Sequence, residues 1–271
     1  MKLSEQLLNQ VTVKRFSAID DLPKDQWNAL VPDHYPFILH EYLSALETHG
    51  CVSERFGWIP HHLGVFDRQN KLIAALPVYE KHNNYGEFVF DQAWESAWKQ
   101  VGLPYYPKLV CAMPYTPARG PRFLVDAQTE IGTVEALQLL LLNAMQSLCV
   151  QTQMSGCHIL FAEETQQSWL ESIAGDEDLL IRHDTQFHWF NQQYETFDDF
   201  LAELTAKKRK NIKQERRAVE QAGVSFRILD GHQATEQDWA NFSFFYDKTF
   251  TEKWSTPTLN KGFFMEVARA L

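Results

Sequence analysis

The order in which strand-like and helix-like segments alternate limits the possible folds more than any other feature of this chain. The pattern predicts strands at 11–16, 61–66, 72–81, 107–113, 157–162 and 179–191, and helices at 21–31, 36–49, within the second half of 85–98, from Thr133 onward and at 163–174. The turn residues 67–70 join the second and third strands into a hairpin. Early hairpins followed by a late crossover helix predict an α/β (α+β) fold, with a mixed sheet flanked by helices.

The most apolar stretch, 134–150, predicts a buried helix. It is interrupted by Glu135, Gln138, Asn143 and Gln146, so it is too short and too polar to cross a bilayer. Residues 1–16 lack the apolar run of a signal peptide. We therefore expect a cytoplasmic protein without a membrane span.

The four cysteines, at positions 51, 111, 149 and 157, form no Cys-x-x-Cys pair and have no histidine at metal-ligand spacing. This spacing predicts free thiols in a reducing compartment and no metal site.

A strongly basic segment follows residue 196, although the chain as a whole has a net charge of −10. Thr196 as N-cap and Gly223 after the last turn predict one long helix over 197–222. Residues 207–217 contain seven basic side chains and a single acid, Glu215, and the cations that fan across the polar half of this helix include Arg209, Lys210, Lys213 and Arg217. This face predicts contact with RNA phosphates. A solvated face that balances an acidic body is the more frequent explanation of such a pattern.

The proline-rich loop 114–122 lies between a predicted strand and a predicted helix. Its residues Thr116, Arg119, Gly120 and Arg122 suit a phosphate or pyrophosphate group of a donor substrate, although no P-loop or dinucleotide motif is present. A stiff loop with two solvated arginines remains the alternative.

An acidic and aromatic cluster spans 85–94 and continues at 105–108. Glu87 and Asp91 lie among aromatic residues that raise a carboxylate's pKa towards that of a general base. Tyr105 or Tyr106 is suited to donate a proton to a leaving group, and we take Tyr106 as the catalytic one. Tyr105 and Lys108 are the neighbouring candidates for substrate contact. The alternative is a polar collar in which the aromatic residues only pack.

Two further pairs are candidates for substrate contact. His40-Glu41 lies on the second predicted helix, and His188-Trp189 lies in an aromatic run that would line a cleft between the two halves of the chain. Roles in packing or at a rim are the alternative for both pairs.

Several of these segments resemble the Fem-like predicted N-acyltransferases, a group described as peptidoglycan biosynthesis or recognition proteins of the GNAT superfamily. The resemblance rests on the motifs at 36–43, 86–91, 105–108, 114–117, 186–189 and 208–212. It implies two tandem GNAT modules and transfer of an acyl or aminoacyl group to an amine, with acyl-CoA or aminoacyl-tRNA as donor. The loop keeps Gly120 of the acyl-CoA pyrophosphate motif but has Pro121-Arg122 in place of its second small residue.

A weak repeat relates the two ends of the chain, since the motif around Trp27 recurs around Trp239 at an offset of 212. We therefore expect one GNAT-like module over 1–195, followed at 196–271 by the long basic helix and the start of a second, incomplete module, so that the chain would be a truncated product or a fragment.

These observations predict an acyl or aminoacyl transferase with an amine acceptor, which in a cell-wall context is a precursor peptide. No tightly bound cofactor is expected, and tRNA is a possible partner. A non-catalytic RNA-binding protein or a peptidoglycan-recognition scaffold is the alternative.

Overall fold

The computed structural model describes residues 3–253 and 255–271, which form eight strands and ten α-helices. The strands are β1 Val11–Phe16, β2 Trp58–Pro60, β3 His62–Asp67, β4 Leu72–Leu76, β5 Tyr79–Lys81, β6 Lys108–Cys111, β7 Leu124–Val125 and β8 Cys157–Ile159. The helices are α1 Glu5–Leu8, α2 Lys24–Ala29, α3 His40–Thr48, α4 Gln92–Gln100, α5 Val134–Gln151, α6 Glu164–Ile173, α7 Phe197–Ala202, α8 Ala206–Gln221, α9 Glu236–Glu252 and α10 Lys261–Ala270. The predicted α/β (α+β) class is confirmed.

The strands form two four-stranded sheets with the orders β1-β3-β4-β7 and β2-β5-β6-β8. All neighbouring pairs are antiparallel except β6 and β8, which run parallel and are joined through α5. The segment predicted as one strand at 72–81 is divided between the sheets, as β4 and β5. Pro77 lies at the division and has no N–H that could donate to a neighbouring strand. Directly after it, the Val78 carbonyl accepts a hydrogen bond from the His61 amide at 2.8 Å.

The apolar helix α5 forms the centre of one core. Thr133 caps it by accepting from the Ala136 amide, and its buried leucines pack on strands of both sheets. Burial of a leucine stabilises the folded state by about 1.5–3 kcal/mol. No described helix is long and apolar enough to span a membrane.

A second core lies around α2 and α3, with Trp27, Leu43 and Trp58 fully buried. Phe263 of α10 belongs to this core, and its ring centre lies 5.5 Å from that of Tyr42. Asn260, the N-cap of α10, donates to the His49 carbonyl at 2.8 Å. Residues near the end of the chain therefore complete a core that the first fifty residues begin.

Two further segments differ from their predicted structures. The predicted strand at 179–191 has no regular structure, and no described strand pairs with it. An isolated strand leaves its backbone groups without ladder partners. The predicted helix over 197–222 is two helices, because Thr205 starts a new one by accepting from the Lys208 amide. Gly223 follows α8 with φ +72°, as predicted for a residue that ends a helix.

Backbone contacts group the chain up to Leu180 with Gly231–Leu271 in one unit and place Ile181–Asp230 in another. The division of the chain at 195/196 into a first module and an incomplete second one stays a prediction.

Candidate functional site

The pairing of β5 with β6 places two lysines opposite each other. Lys81 and Lys108 are direct cross-strand partners, and both are fully buried. Like charges in this position repel, and buried ammonium groups are costly without compensating partners. The neighbouring loop supplies the compensation.

The loop between β5 and α4 brings two carboxylates to Lys108. Lys108 Nζ lies 3.0 Å from Glu87 Oε2 and 2.8 Å from Asp91 Oδ2. Glu87 is 3% exposed and Asp91 is 1% exposed. Gly86 allows this loop to approach, because its φ is +83° and a Cβ there would overlap the Tyr115 ring. One lysine therefore bridges two buried carboxylates.

Two tyrosines complete the cluster. The Tyr105 hydroxyl donates to Asp91 Oδ2 at 2.7 Å, and Lys108 Nζ lies 4.8 Å from the Tyr105 ring centre and 5.3 Å from that of Tyr106. The Tyr106 hydroxyl and Glu87 Oε1 are buried and have no hydrogen-bond partner among the described residues. One hydroxyl donor and one carboxylate acceptor therefore lack partners beside the ion pairs of Lys108.

Lys81 is absent from the residues that the sequence pattern singles out, since it ends an apolar run that predicts only a strand. Its Nζ donates to Asn83 Oδ1 at 3.1 Å and to the Tyr85 carbonyl at 3.0 Å, and it lies 4.0 Å from the ring centre of Trp58. The only signal for it in the sequence is a lysine at the end of an apolar strand, six residues before Glu87.

Burial controls the protonation of this cluster. Burial raises the pKa of Glu87 above its usual value, against the attraction of Lys108. Burial also lowers the pKa of Lys81 to about 7, although Glu87 opposes this effect. The pKa of the Tyr106 phenol is raised well above its usual value, mainly by burial. Glu87 is consequently more basic than an ordinary carboxylate, and Tyr106 retains its proton.

Arg122 in the proline-rich loop is fully buried, and its guanidinium bonds to the main chain. It donates to the carbonyls of Leu160, Gly120, Pro121 and Ala118 at 2.7–3.1 Å. Burial lowers the pKa of Arg122 to about 10. This geometry gives no support to the role predicted for Arg122 in binding a donor phosphate, because the guanidinium holds the loop together instead.

Of the other predicted loop residues, Arg119 and Thr116 are closer to the surface, and Gly120 is buried. Arg119 is exposed and donates to Gln167 Oε1 at 3.0 Å, and the Thr116 hydroxyl lies 3.1 Å from that of Tyr42. Gly120 lies against the Tyr35 ring, which a Cβ would overlap. Arg119 therefore remains accessible to an anion, whereas Gly120 has a packing reason to be glycine.

His40 and Glu41 make contacts typical of structural residues. His40 is buried and its Nε2 lies 3.0 Å from the Ile19 carbonyl oxygen. Glu41 forms an ion pair with Lys24 at 2.9 Å and accepts from Asn28 at 2.8 Å. These bonds tie α3 to α2 and leave no observed basis for substrate contact.

His188 and Trp189 belong to the unit Ile181–Asp230. Trp189 is 66% exposed and its ring lies near those of Tyr194 and Phe200, while His188 stacks on Phe190. Their substrate contact stays a prediction.

The basic face predicted for 197–222 lies on α8, which has no buried residue. Lys213 Nζ forms an ion pair with Asp198 at 2.7 Å, and Arg209 donates to the Leu204 carbonyl at 3.1 Å. Lys210 and Arg217 are exposed. Lys213 and Arg217 also line an open cavity of about 390 Å³ beside α7. RNA contact by these four residues stays a prediction.

A comparison with protein-family models matches residues 18–271 to the FemAB-like family, described as peptidoglycan biosynthesis/recognition. Comparisons with curated proteins and with solved structures gave no significant match. The match begins after β1 and covers the other seven described strands, the buried cluster and the basic helix, and on this match the chain belongs to the FemAB-like family of peptidoglycan biosynthesis and recognition proteins.

Proposed function

We propose that this protein transfers an acyl or aminoacyl group from acyl-CoA or aminoacyl-tRNA to an amine, with a cell-wall precursor peptide as acceptor. Membership of the FemAB-like family supports a transferase role in peptidoglycan metabolism. The observation that carries the proposal is the buried cluster, in which Glu87 Oε1 and the Tyr106 hydroxyl have no partner among the described residues.

The chemistry needs one group that accepts a proton and one that donates a proton. The acceptor amine attacks the carbonyl carbon of the donor, and Glu87 takes the proton that the nitrogen loses. Tyr106 gives its proton to the leaving group, which is a thiolate for acyl-CoA or a ribose oxygen for aminoacyl-tRNA. The C–N bond forms as the thioester or ester bond breaks, and proton exchange with solvent restores both side chains.

The remaining members of the cluster position these two groups. Asp91 is held by Lys108 and Tyr105 and fixes the ammonium beside Glu87. Lys108 supplies positive charge near the oxygen that becomes negative in the transition state. Because the cluster is buried in the structure, substrates reach it only when the segment 85–91 moves; Phe88 in this segment has φ +57°, a strained conformation for a bulky residue.

The donor is bound as a substrate, with no tightly held cofactor. Arg119 and Thr116 are the proposed contacts for its phosphates. The Gly120 amide is not one of them, because it donates to the Phe161 carbonyl at 3.1 Å. Arg122 is left out because its N–H groups already bond to main-chain carbonyls.

A recognition role without turnover is the second candidate, and the exposed basic face of α8 favours it. Cations on an exposed helix attract a phosphate backbone and make its binding steeply salt-dependent. Binding of RNA or of a cell-wall peptide without transfer would match this candidate.

A transfer assay distinguishes the two candidates. The purified protein is incubated with a radiolabelled acyl-CoA or aminoacyl-tRNA and a peptide that carries a free lysine amine, and native mass spectrometry identifies any retained donor. We expect labelled peptide from one of the donors. Tight binding of the donors and the peptide with no labelled product would refute the transferase and leave the recognition role.

A further inference from the structure

A cavity of about 280 Å³ lies away from the lysine–carboxylate cluster, where the N-termini of α5 and α6 meet the loop after the proline-rich segment. Its apolar lining comes from the segment after α2, from the loop and from α5: Leu30, Pro32, Phe123, Val125 and Val134. Its polar lining includes Glu135, Gln138, Glu163 and Trp169. None of the lining residues belongs to the proposed transfer centre.

Two of the polar groups have no partner in the described chain. Gln138 is 7% exposed, and its side chain makes no hydrogen bond with a described residue. The indole N–H of Trp169 is buried and likewise unpartnered. A buried donor without a partner is unfavourable, so a ligand that accepts a hydrogen bond from the Trp169 N–H would gain from that contact.

The charges around the cavity limit the ligand. No lysine or arginine lines it, whereas the carboxylates of Glu135 and Glu163 do. A phosphate or nucleotide would be repelled, and a ligand ammonium would be attracted. Both acids also complement the partial positive charge of the helix N-termini that they occupy, so each keeps a helix-stabilising role as well.

A ligand that also carries a carboxylate has a second set of partners. Glu163 occupies the N-cap position of the ten-residue helix α6, and no side chain caps the first turn of that helix. The N–H groups of an uncapped helix start suit an anionic group, and the Trp169 indole adds a donor.

We propose that this cavity binds a small zwitterionic α-amino acid with an aliphatic side chain. The ammonium group lies between Glu135 and Glu163, and the carboxylate meets the first turn of α6 and the Trp169 N–H. Gln138 bonds to the same polar end of the ligand, and the side chain contacts Phe123 and Val134. The cavity volume fits a molecule of this size and is below that of typical drug-binding pockets.

Calorimetry with L-leucine tests the proposal on the full chain. We expect saturable binding to the wild type, and binding at least tenfold weaker for 4-methylpentanoate, which lacks the amine, and for 3-methylbutylamine, which lacks the carboxylate. Gln138→Leu and Trp169→Phe each remove one hydrogen bond and keep an apolar group, so each should weaken L-leucine binding about fivefold.

The control is Gln151→Leu, which makes the same change at an exposed position of the same helix. It should bind as the wild type does, and circular dichroism shows whether each variant is folded. Absence of L-leucine binding to the wild type at about 10 mM, or equal binding by folded Gln138→Leu and Trp169→Phe, would overturn the proposal. Equal affinity for either analogue would also overturn it.

Discussion

Arg122 and Lys81 are both fully buried cations, and the protein accommodates them by different means. Arg122 cannot lose its proton at physiological pH, so four main-chain carbonyls surround it. Lys81 has two oxygen partners and an indole ring, and its pKa falls to about 7. The first is a structural cation, and the second is able to change its charge near neutral pH.

Replacing Arg122 with methionine should destabilise the fold by about 3–5 kcal/mol, because buried carbonyls would lose their donors. Urea unfolding followed by fluorescence measures the change. Arg119→Met removes an exposed arginine and should alter stability by less than about 0.5 kcal/mol. Equal, small effects of the two substitutions would contradict the structural role of Arg122.

The lowered pKa of Lys81 predicts that the free energy of unfolding depends on pH. Its pKa is lower in the folded than in the unfolded state, so between about pH 7 and its unfolded value the unfolded chain binds more protons and stability rises with pH. The rise is at most about 1.4 kcal/mol per pH unit. Below about pH 7 both states are protonated, and this contribution becomes constant.

Lys81→Met should remove this rise. From about pH 7.5 to about pH 9, the unfolding free energy of the wild type should increase by about 2 kcal/mol relative to that of Lys81→Met. The comparison with the variant cancels the titration of tyrosines and cysteines elsewhere. Parallel pH profiles would show that Lys81 stays charged in the folded protein.

Much of the candidate site could be predicted residue by residue. Glu87, Asp91, Tyr105, Tyr106 and Lys108 were grouped because carboxylates among aromatic residues suggest acid–base chemistry, and the structure brings all five together. Their catalytic roles stay a prediction. Lys81 was missed because only strand register reveals that it faces Lys108.

At the scale of elements, local signals located helices better than strands. Thr133 and Thr196 each begin a predicted helix, and each accepts a hydrogen bond from the backbone amide three residues later. The strand predicted at 179–191 was wrong because a strand depends on a partner elsewhere in the chain. The prediction of one helix over 197–222 was wrong because Thr205 caps the start of a second helix. A threonine can lie inside a helix or cap one, and the hydrophobic pattern did not distinguish these two roles.

The basic face of α8 carries a prediction of its own. If it contacts RNA, Lys213→Glu and Arg217→Glu together should abolish binding to tRNA at low salt, and the wild type should lose affinity steeply as salt increases. Filter binding at several salt concentrations measures both effects.

Lys248→Glu with Lys253→Glu is the matched control, since it makes the same charge change at two exposed lysines. Lys248 lies within α9 and Lys253 directly after it. It should leave most of the affinity intact. Equal losses in the two double variants would mean that only net charge matters, and no binding even at low salt would dispose of the RNA role.

In the whole molecule, residues far apart in the sequence pack together in the core around α3. Phe263 completes the core around α3, and Asn260 joins α10 to the His49 carbonyl. The repeat between the two ends indicated that both contain similar helices, but it contained no information that one would pack on the other. Tertiary contacts of this kind depend on surface shape and are not encoded in local periodicity.

Asn260→Ala should therefore destabilise the protein by about 1–3 kcal/mol, because it removes both the cap of α10 and the bond to His49. Asn211→Ala, at an exposed position of α8, should change stability by less than about 0.5 kcal/mol. Thermal unfolding of the two variants provides the comparison, and equal melting temperatures would contradict the stabilising role of Asn260.

In the transfer reaction that we propose, Glu87 accepts the amine proton. The most direct test of this role is the single-turnover rate of transfer to a lysine-containing peptide, measured against pH for the wild type, Glu87→Gln and the surface control Glu164→Gln. The wild-type and control rates should rise with pH through the elevated pKa of Glu87, and Glu87→Gln should be slower by about 10²–10⁴-fold and should lack that rise. A folded Glu87→Gln protein that transfers at the wild-type rate with the same pH profile would show that Glu87 is not the proton acceptor.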